Sequence, residues 1–144
     1  MKKNILIFII LYFISSFFLS CNKYEDGPAI SLLSAKKRLA GTYNLEQQLI
    51  DDEEITIYDM ETVTYDKNGN GKRTIKLAIG TTYVSEFEWE FDKKKEHLRD
   101  REKGLDGTWG EWTPYKKILR LTKKELWLLD STSKEIIEYH YKKE

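Results

Sequence analysis

The run Tyr83-Val84-Ser85-Glu86-Phe87-Glu88-Trp89-Glu90-Phe91 places Phe87, Trp89 and Phe91 on one set of alternate positions and Glu86, Glu88 and Glu90 on the other. Successive side chains of an extended chain point to opposite faces, so the run predicts a strand with one buried face and one face in water. Ile75, Leu77 and Ile79 alternate with Lys76 and Ala78 in the same way, and Tyr43, Leu45 and Leu49 alternate with Asn44, Glu46 and Gln48. Ile118 to Leu121, Leu126 to Leu129 and Ile136 to Tyr141 are rich in the aliphatic and aromatic types that suit pleated surfaces. A longer, less regular strand is expected from Ile55 to Tyr65 and a polar one from His97 to Arg101.

Turn signals separate these stretches: Asp51 to Glu54, Asn68-Gly69-Asn70-Gly71, Gly80, Asp92 to Lys95, Gly104 to Gly110, Lys123-Lys124 and Ser131 to Lys134. The connections leave no room for helical crossovers, which parallel strands require. The predicted fold class is therefore all-β, an up-and-down antiparallel barrel of about eight strands. Such a barrel is either filled by side chains or holds one small ligand, and an open sheet curled over its own core is the alternative. One short helix is predicted before the strands, over residues 31–40, with Ser31 as its cap and Gly41 as its stop.

The other constraint lies at the amino end. Met1-Lys2-Lys3-Asn4 precedes an apolar run from Ile5 to Leu19, broken only by Ser15 and Ser16. A positive start followed by about 15 apolar residues has the form of a secretory signal peptide. At about 1.5 Å per residue the run covers roughly 22 Å, short of a hydrocarbon core of roughly 30 Å. The chain then holds its only cysteine, Cys21. No internal disulfide is possible, and a lone thiol in an exported protein invites oxidation or cross-linking. Phe18-Leu19-Ser20-Cys21 resembles the lipobox of bacterial lipoproteins. That resemblance implies that the thiol carries diacylglycerol, that residues 1–20 are removed and that the new amino terminus is acylated. Residues 21–30 read as a polar tether ending near Gly27-Pro28, and residues 31–144 as one barrel domain. Lys23, Glu25 and Asp26 resemble the segment that follows the lipidated cysteine in surface-exposed lipoproteins of Bacteroidetes-type bacteria, so either face of the outer membrane, periplasmic or surface, fits.

The helix running into Gly41-Thr42-Tyr43 resembles the Gly-x-Trp entry of lipocalins, with Tyr43 in the tryptophan's place. Asp26-Gly27-Pro28, the Trp89 strand and the run Ile118 to Trp127 are similar to the small lipocalin-like lipoproteins of Bacteroidetes. The resemblance implies an eight-stranded calyx, no catalytic residues, and a late-strand arginine closing the barrel floor against Tyr43, a role for which Arg120 is the candidate.

The chemistry expected of the chain is binding, not catalysis. Asp66-Lys67-Asn68-Gly69-Asn70-Gly71 matches the start of a calcium loop, but its twelfth position is Leu77 where a bidentate Glu is needed, so the residues read as a hairpin turn. His97 and His140, the two histidines, are too few for a zinc site and read as solvated edge residues. Asp51-Asp52-Glu53-Glu54 reads as a solvated turn. No histidine is placed beside an identifiable nucleophile, so no enzyme and no cofactor are expected. Without Lys2 and Lys3 the 24 basic residues fall to 22 against 24 acidic ones, a balance near −2 that gives no footprint for nucleic acid. Tyr43, Phe87, Trp89, Phe91 and Trp127 are the candidate lining of an apolar calyx, or else simply its core. Trp109 and Trp112 lie in a glycine-rich loop, where they serve recognition at the barrel mouth or fold back as a lid. The expected partners are a membrane, through the lipid anchor, and a small apolar or amphipathic ligand. The alternative is a filled barrel that docks another envelope protein.

Overall fold

A computed structural model describes Tyr24 and residues 32–144. The expected signal segment 1–20, Cys21, most of the tether and Ser31 lie outside the described residues. A single turn of helix, α1 (Ala35–Leu39), leads into β1 (Gly41–Ile50) and β2 (Glu53–Ile55). There follow β3 (Met60–Tyr65), β4 (Asn70–Lys76), β5 (Thr82–Phe91), β6 (His97–Glu102), β7 (Lys116–Leu121), β8 (Glu125–Asp130) and β9 (Ile137–Lys143). Every pairing is antiparallel between neighbours in the order β1-β3-β4-β5-β6-β7-β8-β9. β9 returns to pair with β1 from Tyr43↔Lys143 to Ile50↔Ile137, closing a barrel of eight strands. β2 is a short ninth strand that pairs with the far end of β1, on the edge that β3 takes nearer its start.

The helix is shorter than the sequence suggests. Ser34, not Ser31, caps it by accepting from the Lys37 amide. The expected strand from Ile55 to Tyr65 is two strands joined through residues 56–59, because β1 pairs first with β3 and, beyond Gln48, with β2. Leu77 and Ile79 do not continue β4. The Leu77 and Gly80 amides close a tight turn there, with Gly80 at φ +94°, and Ile79 projects into solvent. In β1 the register slips at Glu46, where two residues oppose one on β9. One extra residue inverts the facing of everything after it, so Gln48 and Ile50 turn inward and Leu49 turns out.

One half of the barrel is solid. Leu39, Tyr43, Val63, Phe87, Ile118, Leu121 and Leu126 are fully buried there, with Tyr65 and Trp89 wedged between them. Tyr65 meets Tyr43, Phe87 and Trp89 edge to face at 6.1, 5.4 and 5.9 Å between ring centres. The Tyr43 hydroxyl donates to the Arg38 carbonyl at 2.8 Å, and the Lys143 ammonium lies 5.3 Å from the ring centre. Arg38 itself donates to the Leu121 carbonyl at 3.0 Å and stacks on Tyr24. Arg38 and Lys143 therefore stand where Arg120 was expected. A second slip in register, at Leu119, leaves Arg120 on the outer face against Glu125 and Trp127.

Gly71 lets this core close. A Cβ at that position would lie 2.2 Å from Phe87 Cζ and 2.6 Å from the Thr64 carbonyl oxygen, a ring and a backbone atom with nowhere to go. Gly71→Ala is expected to lower stability by about 1–3 kcal/mol through overpacking. Urea unfolding checks this, and a neutral result would show that Phe87 can move aside.

Candidate functional site

Above the solid half, toward the end where β1 turns into β2, the barrel is hollow. The cavity there has a volume of ≈ 300 Å³ and is lined by Glu61, Arg73, Ile75, Asp100, Glu102, Thr113, Lys116, Tyr139 and Tyr141. Pairing explains the set. Val63 faces Arg73 and Glu61 faces Ile75 across β3 and β4, so both pairs share the inward face with Tyr65. Asp100 faces Trp89 and Glu102 faces Phe87 across β5 and β6. Tyr141 lies opposite Leu126, and Tyr139 opposite Leu128.

Arg73 forms the bottom of this cup. Its guanidinium rests 5.3 Å above the Phe87 ring, the top of the packed core. It reaches Asp100 at 2.9 Å, Glu61 at 3.3 Å, and Glu102. Burial opposes the charge on Arg73, but Asp100, Tyr65 and Glu61 outweigh it and hold the guanidinium more firmly protonated than usual. Thr113 steadies Asp100, its hydroxyl 3.1 Å from Oδ1 and 3.0 Å from the Asp100 carbonyl. Tyr141 donates to Glu61 at 3.2 Å; burial first, then Glu61 and Tyr65, push its phenol well above the ordinary value, so it stays a donor. The Tyr139 phenol is also pushed up, by burial and then by Asp130 and Glu61.

Lys116 completes the wall. Its ammonium lies 5.5 Å from the Tyr139 ring centre, and among the described residues no carboxylate stands within ion-pair distance of it. The cup thus offers carboxylate oxygens, two phenols and an ammonium whose charge also acts on Asp130, beneath the apolar side chains of Ile75 and Tyr139. That set can bind and orient a molecule with polar groups at one end. Among the described residues no three His, Cys, Asp or Glu side chains are grouped to hold a metal ion.

The aromatic residues singled out in the sequence fall into three places. Tyr43, Phe87 and Trp89 are 0, 0 and 3% exposed and lie in the solid half, so they support the cup without lining it. Phe91 is half-buried at the edge of that core, 5.4 Å from Trp89 between ring centres. Trp127 faces outward, stacked on His140 at 4.1 Å with the rings within 7° of parallel. His140 is accordingly no solvated edge residue; it is held by Trp127 and Glu138, and His97 by Asp92.

Trp109 and Trp112 neither line the mouth nor cover it. Residues 109–115 run back along β6: the Gly110 and Thr113 amides bond the carbonyls of Glu102 and Asp100, and Trp109 bridges Lys103. This lays Trp109, Trp112 and Tyr115 over the outer face of β6. Arg99 sits 4.9 Å from Trp112 and 4.5 Å from Tyr115, and Arg101 4.8 Å from Trp112 and 5.5 Å from Trp109. Each cation also meets an acid of β5: Arg99 with Glu90, Arg101 with Glu88, Lys103 with Glu86. The glutamates of the opening strand are thus one rail of a ladder whose rungs are Arg99, Arg101 and Lys103. Opposite charges at matched spacing on neighbouring strands were the available signal.

No family model matches the sequence, nor does any curated protein. Among solved structures, a crystal structure of a lipocalin-like protein from Bacteroides uniformis superposes with a TM-score of 0.58 at 16% identity, covering 74% of this chain and 99% of that one. With its closed up-and-down order and this likeness, the chain has a lipocalin-like β-barrel fold.

Proposed function

We propose that this protein is a non-catalytic lipoprotein of the cell envelope, anchored through acylated Cys21 in the outer membrane, whose barrel holds a small amphipathic molecule in the cup above Arg73. One observation carries the binding reading. A barrel that served only as a scaffold would gain nothing by keeping an arginine and three acids in a hollow, since removing charges from water costs more than most pairs return. The polar end of the ligand faces the Arg73 cluster and Lys116, and its apolar part lies against Ile75 and Tyr139. This differs from the wholly apolar calyx expected from the aromatic content, because the rings that suggested it are spent on the core.

Native mass spectrometry of the protein taken from its own envelope tests the binding reading. A small-molecule adduct is expected, diminished in Tyr139→Ala; an adduct indifferent to that change would place the ligand elsewhere. A second reading, a subunit that docks another envelope protein, is favoured by apolar side chains left in solvent near the open end, among them Tyr58, Ile79 and Tyr83 at 77, 84 and 59% exposure. The same spectrum would then show a protein partner in place of the adduct.

The anchor reading rests on the lipobox-like residues and on the sole cysteine. Several acyl chains hold durably where one gives only marginal binding. Cys21→Ser is expected to move the protein from the membrane to the soluble fraction on cell fractionation. A variant that stays with the membrane would end the lipid-anchor reading.

A further inference from the structure

The closed end of the barrel carries the turns β3–β4, β5–β6 and β7–β8, together with α1, and its charge is one-sided. Lys93, Lys94 and Lys95 are exposed in one turn, Lys123 and Lys124 in another, and Lys37 on α1. The acids at this end are Asp66, Asp92, Glu96 and Glu144, of which Glu144 accepts from Asn44 and Asp92 is spent inward, accepting from the Glu96 and His97 amides at 2.7 and 3.0 Å. Arg38 adds a buried guanidinium with no acid partner among the described residues. The opposite end is acidic, with Asp51, Asp52, Glu53 and Glu54 all exposed in the β1–β2 hairpin.

A second, independent observation concerns Tyr24. Although it lies in the stretch expected to be a free tether, its ring is 2% exposed and belongs to the core. It stacks 5.4 Å from the Arg38 guanidinium, and its hydroxyl donates at 3.0 Å to the carbonyl of Lys95, within the lysine turn. Tyr24 stands three residues after Cys21. Three residues of extended chain reach about 10 Å.

We infer that the lysine-bearing closed end is a membrane-facing surface that lies against anionic lipid headgroups, with the mouth of the cup directed away from the bilayer. The orientation rests on the lipid-anchor reading. Anchoring at Cys21 with Tyr24 docked beside Lys95 leaves too little chain for the barrel to turn over. Exposed lysines within a Debye length of about 8–10 Å of an anionic surface add attraction to the acyl anchor, and the acidic mouth is repelled by the same surface. A ligand therefore enters from the aqueous side.

Two measurements test this. The unacylated Cys21→Ser protein is expected to co-sediment with vesicles of phosphatidylcholine mixed with phosphatidylglycerol and not with phosphatidylcholine alone. Salt should weaken that binding, and the triple change Lys93→Glu, Lys94→Glu, Lys124→Glu should abolish it. Equal binding to both vesicles, or binding to neither, overturns the surface, and this measurement does not involve the anchor. For orientation, acylation consumes the only thiol, so Lys94→Cys and Ile79→Cys each accept a single spin label. β5 separates the two positions with ten residues, roughly 30 Å of strand. In the acylated protein on a bilayer with nickel-chelating lipid, the label at 94 should relax fast and the label at 79 slowly, with the contrast lost in Tyr24→Ala. Equal or reversed relaxation overturns the orientation. A second label appearing at Cys21 would instead condemn the anchor reading, while the vesicle experiment still judges the surface.

Discussion

Arg73→Leu is expected to destabilise the protein by about 3 kcal/mol at neutral pH, the lower end of the range for breaking a buried charge pair, because the cup is open to water. The side chains of Arg73, Asp100 and Glu61 are 17, 12 and 18% exposed, whereas Glu102 is 47% exposed and can be rehydrated in place. The loss therefore falls on Asp100 and Glu61, two carboxylates left facing each other over the Phe87 ring. Adding Asp100→Asn should return part of the loss, since it removes one of the stranded charges, so that the two changes together cost less than their sum. Arg73→Lys should recover little, because a point ammonium cannot span three acids as a planar fork does. Urea unfolding of the four proteins gives the cycle. A neutral Arg73→Leu would mean that the acids are fully hydrated and that the cup is a surface dimple instead of a site.

The cup stayed hidden in the sequence for a reason that the same residues explain. Alternation identifies a strand when one face is apolar, as it did for Phe87, Trp89 and Phe91 opposite three glutamates. His97-Leu98-Arg99-Asp100-Arg101-Glu102 is polar on both faces, so nothing local says that Asp100 and Glu102 point in while Arg99 and Arg101 point out. Only the register with β5 decides it. Glu61 and Tyr141 meet across 80 residues of sequence, a contact that closure of β9 on β1 creates and no window along the chain contains. The bulges act the same way: one extra residue at Glu46 and one at Leu119 reversed the facing expected for Leu49 and carried Arg120 outside. What could be read was the set of strands, their antiparallel order and the helix-to-Gly41 entry. Those depend on turn chemistry and short connections, which are local. Tryptophans at 109 and 112 were expected at the mouth because a glycine-rich loop gives no local sign of where it folds, and here two arginines and a lysine of the outer face supply the surface that the rings cover.

Trp89→Ala is the companion test, aimed at the support and not at the cup. The indole is 3% exposed, meets Tyr65 and Phe91 edge to face at 5.9 and 5.4 Å, and donates from Nε1 to the Asn70 carbonyl at 2.8 Å. Truncation removes the ring and leaves a cavity that β5 and β6, held by the outer ladder of ion pairs, cannot collapse to fill. The expected loss is about 3–5 kcal/mol. Trp89→Phe separates the contributions: it keeps most of the packing and removes one of two donors to the Asn70 carbonyl, which still accepts from the Asp66 amide at 2.8 Å, and should cost roughly 0.5–1.5 kcal/mol for the hydrogen bond. Because Trp89 lies beneath the floor of the cup and its indole N–H goes to the Asn70 carbonyl and not to the cup's acids, the folded fraction of either variant should keep any small-molecule adduct that the parent carries. Arg73→Leu should lose it even where the protein remains folded. That split between stability and occupancy is the sharpest expected difference between the two halves of the barrel, and a Trp89→Phe protein that folds but binds nothing would show that the solid half and the hollow half are one site.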